Sequence, residues 1–345
     1  MNVYRQLFWI KGVLIYTFEY LSKNKAMKIL KNILMVFGVI FIGSTLIFAV
    51  QQGHLMSEPD RQDVTVDQTD KSVADEYRIT SIEIPDDLNF AGEKVPQKDP
   101  EIMERVDREF LVNTYWQSNA VLLMKRANKY FPIIEPILAK NGIPDDFKYL
   151  AVAESGLQNV VSPAGAAGFW QIMKATGKEY GLEVNSNVDE RYNLALATQL
   201  ACEYLKKNKE KFGSWTLAAA SYNAGAGAIN KYMGIQQATD YYDLLLGQET
   251  GRYVFRIMAI KEILSHPEKY GFEISEEDLY ATVPTFTVEV DKPVEDFATF
   301  AKEYEINYKI LKRHNPWLRE PHLNNASGKK YVIEIPHKGY YTSAK

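Results

Sequence analysis

The spacing of apolar residues predicts helices through the middle of the chain. Phe147, Leu150 and Ala151 share one helical stripe, because they are separated by three or four positions. Glu154 occupies the next position of that stripe, and the adjacent stripe is apolar as well. From the same pattern we expect helices at 101–128 with a break near Asn113, and at 132–141, 145–155, 170–180, 190–212, 215–223, 225–232, 239–245 and 250–265.

Strand patterns occur only near the end of the chain. The alternating segments at 285–290 and 330–336 predict two strands, and two short helical patterns lie between them. We therefore expect a mainly α protein. An all-α domain would cover residues 101–275, and a small β-α-α-β module would follow at residues 284–336.

An uncharged apolar run covers Ile33–Val50, and its eighteen residues would extend roughly 27 Å as a helix. Lysines precede the run and acidic residues follow it, which predicts a membrane helix with the rest of the chain outside the cytoplasm. A cleaved signal peptide is the alternative, particularly if translation starts at Met27. We interpret residues 1–50 as a basic cytoplasmic segment and membrane anchor. Residues 51–100 would be a polar linker with a short docked segment around Ile82–Phe90.

The net charge of −4 is unevenly distributed along the chain. Residues 1–32 contain six Lys or Arg and one Glu, so they carry +5 and the remaining 313 residues carry −9. A mildly acidic body disfavours nucleic acid as a partner. The single cysteine, Cys202, has apolar neighbours and is expected to be a small core residue. The five histidines are dispersed, so we predict no metal site and no cofactor.

Glu154 is the first candidate for a chemical role. A carboxylate in apolar surroundings loses hydration, which costs several kcal/mol unless the group is paired or protonated. A segment rich in small residues follows at 162–168, and the next letters, "FWQIM", contribute large apolar groups and the amide of Gln171. Small residues allow the backbone to approach a ligand closely. The alternative is a helix-end glutamate satisfied by a neighbouring amide or arginine.

Two later segments supply further polar groups. In "AAASYNAGAGAIN" three alanines precede Tyr222 and Asn223, and "QETGRYV" adds Glu249 and Tyr253 at the start of a helix. Aromatic side chains with hydrogen-bonding groups, together with amides, suit a sugar polymer, which presents apolar ring faces bordered by hydroxyls. Glu154 would act there as a general acid, with its pKa raised by burial.

The motifs "ES", "SPAGAAGFWQIM", "SYNAG" and "ETGRYV" resemble, in order and spacing, those of the lytic transglycosylases with goose-type lysozyme-like domains. The segment "GIPDDFKYLAVAES" and the C-terminal module are most similar to the membrane-bound lytic transglycosylase D branch. The resemblance covers about residues 101–270 and extends less closely over residues 284–336. It implies a lysozyme-like fold for the all-α domain.

The resemblance also implies a reaction for Glu154. As the family's lone catalytic acid, this residue would protonate the glycosidic oxygen between N-acetylmuramic acid and N-acetylglucosamine, and would then act as a base. The muramoyl 6-hydroxyl attacks its own C1, so the product carries a 1,6-anhydro ring and no water is consumed. Most glycosidases instead use two carboxylates.

Seven further residues match positions that line the family's cleft, and Tyr222 among them matches the tyrosine placed close to the reacting carboxyl. Simpler interpretations stay open, because Glu249 could be a favourable charge at a helix N-terminus and Tyr253 and Met173 could be core residues. The chain departs from many relatives at Phe169-Trp170, where they have Leu-Met. The substrate-binding positions implied by the resemblance are Ser162, Gln171, Met173, Tyr222, Asn223, Glu249 and Tyr253.

The C-terminal module resembles a LysM carbohydrate-binding domain, although Asp291-Lys292-Pro293 replaces the usual Gly-Asp turn. The module would either bind glycan or have a packing or docking role. The sequence thus predicts a peptidoglycan lytic transglycosylase anchored in the inner membrane, with its catalytic domain in the periplasm. Its partners would be peptidoglycan glycan strands and the membrane. The alternatives are a hydrolytic muramidase on the same scaffold and a non-catalytic peptidoglycan-binding scaffold.

Overall fold

The apolar periodicity of residues 100–265 produces helices in the structure, a computed structural model that describes residues 79–341. Most of them lie within a few residues of the predicted positions. In chain order they are α1 (Pro100–Tyr115), α2 (Gln117–Lys140), α3 (Lys148–Ser155), α4 (Lys174–Glu179), α5 (Leu194–Phe212), α6 (Trp215–Ala224), α7 (Ala226–Gln236) and α8 (Thr250–Ser265).

The helix break predicted near Asn113 is in fact at Trp116, between α1 and α2. The separate helix predicted to begin at Pro132 is wrong, because α2 continues through both Pro132 and Pro136. An interior proline removes a backbone donor and normally disrupts a helix. Here the tertiary packing of Ile134 and Leu138, which are both fully buried, outweighs that local preference.

Two other predicted helices are shorter than expected. The helix predicted at 170–180 begins only at Lys174, and the preceding Ala167 and Ile172 are joined by an isolated β-bridge. The helix predicted at 239–245 is a single 3₁₀ turn at Tyr241–Asp243. In both segments the apolar pattern indicates burial. A short apolar run does not distinguish a helix from an irregular buried segment, so the predicted helices are too long.

Helix α8 lies at the centre of the larger domain. Its residues Val254, Ile257 and Ala259 are fully buried, and the helix contacts α1, α3 and α6. The alanines at 218–220 in α6 are also fully buried, and their small side chains allow α6 to pack closely against α5 and α8. Cys202 is buried in α5, where burial raises the pKa of the thiol to about 12, so its interpretation as a core residue is confirmed.

The folded unit begins before the predicted boundary at residue 101. Strand β1 (Asn89–Phe90) pairs with β2 (Glu93–Lys94) in an antiparallel hairpin. Phe90 is fully buried, and its ring packs edge-on against Phe147 with centroids 5.0 Å apart. The docked segment predicted around Ile82–Phe90 is therefore confirmed, and the ordered part of the chain continues beyond it into β2, because these residues bury large apolar side chains.

The predicted membrane helix at Ile33–Val50 lies outside the described residues. Between residues 79 and 341, the structure contains no helix with the length and apolar character needed to cross a bilayer.

The C-terminal module has the predicted β-α-α-β order. Strand β3 (Thr285–Val290) pairs antiparallel with β4 (Tyr331–Pro336), with Thr285 opposite Pro336 and Val290 opposite Tyr331. Between the strands lie α9 (Phe297–Glu303) and α10 (Tyr308–His314). The apolar side chains of β4 alternate with exposed ones, so one face of the small sheet is buried against the two helices.

Glu93 of the hairpin binds the start of α6, more than 100 residues away in the chain. Its carboxylate accepts hydrogen bonds from the backbone N–H of Trp215 at 2.6 Å and of Thr216 at 2.9 Å, and from the Ser214 hydroxyl at 2.8 Å. Lys209 pairs with it at 3.1 Å. Partial burial opposes ionisation, but these hydrogen bonds outweigh it and lower the pKa of Glu93.

We expect Glu93→Gln to lower the free energy of unfolding by about 1–3 kcal/mol at neutral pH, since a neutral amide is a weaker acceptor for these donors. Because the pKa of Glu93 is lower in the folded protein, this stabilisation is present above the unfolded pKa and is lost as the pH falls through the folded value. Chemical denaturation against pH measures the difference. Glu210→Gln, at an exposed position of α5, is the matched control; equal effects of the two substitutions would contradict the prediction.

Candidate active site

Glu154 lies in the last turn of α3, where the helix ends at Gly156 in a left-handed conformation with φ of 60°. Its neighbours Ala151, Val152 and Ala153 are buried. The Glu154 side chain is only partly buried, so its carboxyl group is at the boundary between the core and the surface. The alternative interpretation is a helix-end glutamate satisfied by a neighbouring amide or arginine. Among residues 79–341 no arginine or lysine lies within ion-pair distance of Glu154, and the hydrogen-bond donor that contacts its carboxyl group is the Tyr253 hydroxyl.

The surroundings of Glu154 raise the pKa of its carboxyl group from 4.5 to about 7. Burial is the largest cause, and the charge of Glu249 acts in the same direction. A hydrogen bond from Tyr253 and the charge of Arg256 act in the opposite direction but are weaker. The carboxyl group is consequently close to half protonated near neutral pH, which suits a group that must both donate and accept a proton.

Two tyrosines are placed around this carboxyl group. The Tyr253 hydroxyl donates a short hydrogen bond to Oε1 of Glu154, and the Tyr222 hydroxyl donates to the backbone oxygen of Trp170 at 2.7 Å. Burial, followed by the Glu154 charge, raises the pKa of both phenols well above its ordinary value. Both side chains are therefore neutral hydrogen-bond donors. Tyr253 is 4% exposed, so its interpretation as a core residue is confirmed, and it also contacts the Glu154 carboxyl group.

A second small network connects α6 to the start of α8. The Thr250 hydroxyl donates to the side-chain oxygen of Asn223 at 2.8 Å, and the Asn223 amide donates to Oε1 of Glu249 at 3.4 Å. Glu249 is exposed at the N-terminal end of α8, where a negative charge is favourable. Because it also acts on Glu154 electrostatically, the two interpretations of Glu249 are compatible.

Residues 160–173, called here the small-residue loop, connect α3 to α4 and hold their shape by internal hydrogen bonds. The Ser162 hydroxyl accepts from the backbone N–H of Ala166 at 3.1 Å. Gln171 has a positive φ of 46°, and its amide donates to the backbone oxygens of Val160 at 3.0 Å and Gly168 at 2.8 Å. These bonds stabilise a conformation that glutamine rarely adopts.

The outer side of the small-residue loop is apolar. Met173 is 44% exposed and Val161 is 58% exposed, so the interpretation of Met173 as a core residue is wrong. Exposed apolar side chains next to polar groups are a feature of surfaces that bind sugars or other ligands. Within residues 79–341, Ser162, Gln171 and Met173 make no hydrogen bond to Glu154.

The loop is joined to the helices that carry Glu154 and Tyr222. The Ser155 hydroxyl, next to Glu154, donates to the backbone oxygen of Phe169 at 2.7 Å. The following residue, Trp170, accepts from Tyr222, and its indole N–H donates to the Thr198 hydroxyl at 2.8 Å. The position of the loop is thus coupled to the position of the carboxyl group.

Arg191 is the important residue that the sequence analysis missed. Its guanidinium forms a bidentate pair with Asp189, at 2.9 and 2.7 Å, and donates to the backbone oxygens of Gly165 and Ile172 at 3.0 Å each. A Cβ atom at Gly168 would lie 2.1 Å from the Arg191 backbone oxygen, so only glycine fits there. The sequence assigned Arg191 to the start of a helix, and no local pattern indicated these contacts.

The C-terminal module packs against the segment that carries this ion pair. The backbone N–H of Asp189 donates to the Trp317 oxygen at 2.9 Å, and Val188 forms a β-bridge with Leu318. The Asn187 amide donates to the His322 oxygen at 2.8 Å. Apolar residues from both domains form one shared core here, so the module is docked rather than tethered.

Two protein-family models match this chain, one in the helical domain and one in the C-terminal module. A family model described as the transglycosylase SLT domain matches residues 131–245. A model described as the soluble lytic transglycosylase C-terminal LysM-like domain matches residues 286–339. The second match covers the β-α-α-β module, including both strands of its sheet.

The chain is 32% identical over 269 residues to the membrane-bound lytic murein transglycosylase D of Escherichia coli, strain K12, and equally similar to that of strain CFT073. The alignment covers 75% of this chain, and the chain spans 58% of the length of these relatives. The crystal structure of the soluble lytic transglycosylase SLT70 of E. coli matches at 22% identity with a TM-score of 0.35, over 44% of this chain and 27% of that one.

We expect Arg191→Met to lower the free energy of unfolding by about 3–5 kcal/mol, because the substitution leaves Asp189 buried without its partner. Thermal and denaturant unfolding measure the loss. Lys207→Met, which removes a 3.9 Å surface pair with Glu179, should change stability by less than about 0.5 kcal/mol. A loss at Arg191 no larger than that of Lys207 would contradict the assigned role.

The raised pKa of Glu154 predicts a specific dependence of stability on pH. Between pH 4.5 and about 7 the folded protein binds a proton that the unfolded chain releases, so the Glu154 contribution to the free energy of unfolding decreases as the pH rises. The decrease amounts to about 3 kcal/mol at most. Glu154→Gln should abolish it, so the variant should gain stability relative to the wild type across this range.

Tyr253→Phe provides the second arm of this experiment. Removal of the Tyr253 hydroxyl eliminates a contact that lowers the pKa of Glu154, so the same decrease in stability should extend to higher pH. Denaturant unfolding at several pH values measures both variants. Parallel stability curves for the wild type and Glu154→Gln would show that the carboxyl group has an ordinary pKa.

Proposed function

Because this chain carries a transglycosylase SLT domain followed by a LysM-like domain of the soluble lytic transglycosylase type, we propose that it is a peptidoglycan lytic transglycosylase. The observation that carries the proposal is the partly buried carboxyl group of Glu154, with its pKa raised to about 7 and a neutral tyrosine hydrogen-bonded to it. Such a group can exist in either protonation state near neutral pH.

In the proposed reaction, protonated Glu154 donates its proton to the glycosidic oxygen between N-acetylmuramic acid and N-acetylglucosamine. The bond from this oxygen to the muramoyl C1 breaks, and the N-acetylglucosamine end leaves as an alcohol. The Glu154 carboxylate then removes the proton of the muramoyl 6-hydroxyl, whose oxygen bonds to C1. The enzyme returns to its starting protonation state, and the product has a 1,6-anhydro ring.

The environment of Glu154 supports an acid that changes role within one turnover. Burial favours the neutral form, and the Tyr253 hydroxyl and the Arg256 charge stabilise the anion formed after the first proton transfer. The two effects oppose each other, so the energies of the two protonation states stay close. Tyr222 donates to the Trp170 backbone and would hold the small-residue loop in position beside Glu154.

The remaining predicted residues are proposed to line the glycan cleft. Asn223 and Glu249 form a polar side close to Glu154, because they are hydrogen-bonded to each other and Glu249 acts on the Glu154 carboxyl group. Ser162 and Gln171 would act mainly by shaping the small-residue loop. Met173 would present an apolar surface to a sugar ring.

The proposal places the enzyme in the cell envelope, since the E. coli relatives are membrane-bound lytic murein transglycosylases. Residues 1–50 would anchor the chain in the inner membrane, with the folded unit in the periplasm. The catalytic helical domain would cover residues 101–275, and the LysM-like module would cover residues 284–336. The shared core between them favours a docking role for the module over glycan binding by a freely moving one.

A hydrolytic muramidase is the second candidate, since Glu249 is a second carboxylate that acts on Glu154. Glu249 is exposed and hydrogen-bonded to Asn223, which makes it a weak candidate for positioning a water molecule. A non-catalytic peptidoglycan-binding scaffold is the third candidate. It gives no reason for a carboxyl group to be held in partly buried surroundings without a cation.

Digestion of purified peptidoglycan with the full chain, followed by mass spectrometry, tests the proposal. The wild type should release muropeptides with anhydro ends, which are lighter by one water than hydrolysed ones. Glu154→Gln should lower the rate by about 10²–10⁴-fold with the fold intact, because a general acid is removed. Glu249→Gln is the control and should retain the anhydro product.

Products with reducing ends would favour the muramidase. An undiminished rate in Glu154→Gln would favour the scaffold and contradict the assignment of the acid.

A further inference from the structure

A cavity of about 300 Å³ lies between the helical domain and the LysM-like module, and Glu154 does not line it. Its walls come from α2, from the small-residue loop and from α10 of the module. A volume of 300 Å³ is at the lower end of the range for small-molecule sites. The cavity exists only because the module is docked, since each domain contributes one wall.

Three basic side chains face this cavity: Lys129 on α2, and Arg313 and His314 on α10. They act on one another, because Arg313 contributes to lowering the pKa of Lys129, and both contribute to lowering that of His314, in each case after burial. Among residues 79–341, neither Lys129 nor Arg313 has an acidic partner within ion-pair distance. Lys129 and Arg313 therefore form a pair of positive charges without an acidic partner among the described residues, while the lowered pKa of His314 favours its uncharged form at neutral pH.

The acidic lining of the cavity does not compensate for this charge. Within the described part of the chain, Glu334 is the one carboxyl group that lines the cavity, and burial raises its pKa. Among residues 79–341, no ion pair joins Glu334 to Lys129 or Arg313. An anionic ligand would fill this electrostatic role, since Lys129 is partly buried and gains from an opposite charge, and the exposed Arg313 can approach the same ligand from the solvent side.

The rest of the wall is aromatic. Tyr130 packs edge-on against Phe169 with ring centroids 4.7 Å apart, and Tyr192 and Trp317 line the cavity as well. Aromatic side chains provide rigid apolar area, and a cation next to them suits a ligand with both an aliphatic part and a carboxylate. Inorganic anions would leave this apolar wall unused.

Phe169 connects the cavity to the candidate active site. Its side chain lines the cavity, while its backbone oxygen accepts the hydrogen bond from Ser155, next to Glu154. A ligand seated against Phe169 is thus near the small-residue loop that would bind the glycan. In peptidoglycan, the muramic acid units of the glycan strand carry short peptides that have free carboxylates.

We propose that this cavity binds the acidic stem peptide of peptidoglycan, with Lys129 and Arg313 as its carboxylate ligands. The inference rests on the proposed function, which supplies the glycan to which the peptide is attached. Arg313 is suited to a bidentate contact with a carboxylate, and Lys129 provides a second point charge. Glu154 does not line the cavity, so contacts made there should stabilise the bound substrate and the transition state equally. Binding of the peptide should therefore lower KM and leave kcat unchanged.

The test compares the double variant Lys129→Gln/Arg313→Gln with the wild type on two substrates. One is glycan strands that carry stem peptides, and the other is the same strands after the peptides have been removed by an amidase. On peptide-bearing strands the variant should raise KM by about 10- to 100-fold, as expected for the loss of charged hydrogen bonds. On stripped strands its kcat and KM should equal those of the wild type.

Lys125→Gln is the matched control, because Lys125 lies one turn before Lys129 on α2, over the Tyr280 ring and outside the cavity. It should leave both substrates unaffected. An equal loss on both substrates, or no loss on either, would overturn the inference.

Calorimetry separates failure of this inference from failure of the proposed function. A synthetic stem tripeptide with free carboxylates should bind to the wild-type full chain, and should bind at least tenfold more weakly to the double variant. Equal binding, or no binding to the wild type, would overturn the cavity assignment. Tripeptide binding without release of anhydro products from either strand would overturn the proposed function alone.

Discussion

The buried pair between Arg191 and Asp189 connects the small-residue loop of the candidate site to the C-terminal module. Arg191 holds the small-residue loop through the backbone oxygens of Gly165 and Ile172, while the Asp189 backbone donates to Trp317 of the C-terminal module. The two charges satisfy each other, and the remaining guanidinium donors are used by the loop, as a stable buried pair requires. The pair therefore links the small-residue loop to the docked module.

A second constraint acts on the carboxyl group itself. Burial of the Glu154 carboxyl group raises the energy of its charged form. Tyr253 and Arg256 stabilise that form without neutralising it. An ion pair in this position would have produced a permanently ionised group. The arrangement reduces stability at neutral pH, which is the compromise between stability and activity expected if the proposed catalytic role is correct.

The helical pattern predicted most of the larger domain because core helices bury regular apolar stripes. It failed where local preference and packing disagree: α2 continues through Pro132 and Pro136, and the segment before Lys174 is irregular because Gln171 adopts a left-handed conformation. The hairpin that contains Glu93 was assigned to a linker, since its polar composition does not reveal that its carboxylate binds a distant helix start.

The sequence by itself determined the mainly α class, the β-α-α-β module and the choice of Glu154 as the candidate acid, because these follow from periodicity and from the order of short motifs. The tertiary structure decided the rest: the pKa of the carboxyl group, the contacts of Arg191 and the cavity at Lys129. Burial, ion pairing and cavity shape depend on residues that are far apart in the chain. No local pattern specifies such contacts, so only the folded arrangement of both domains establishes them.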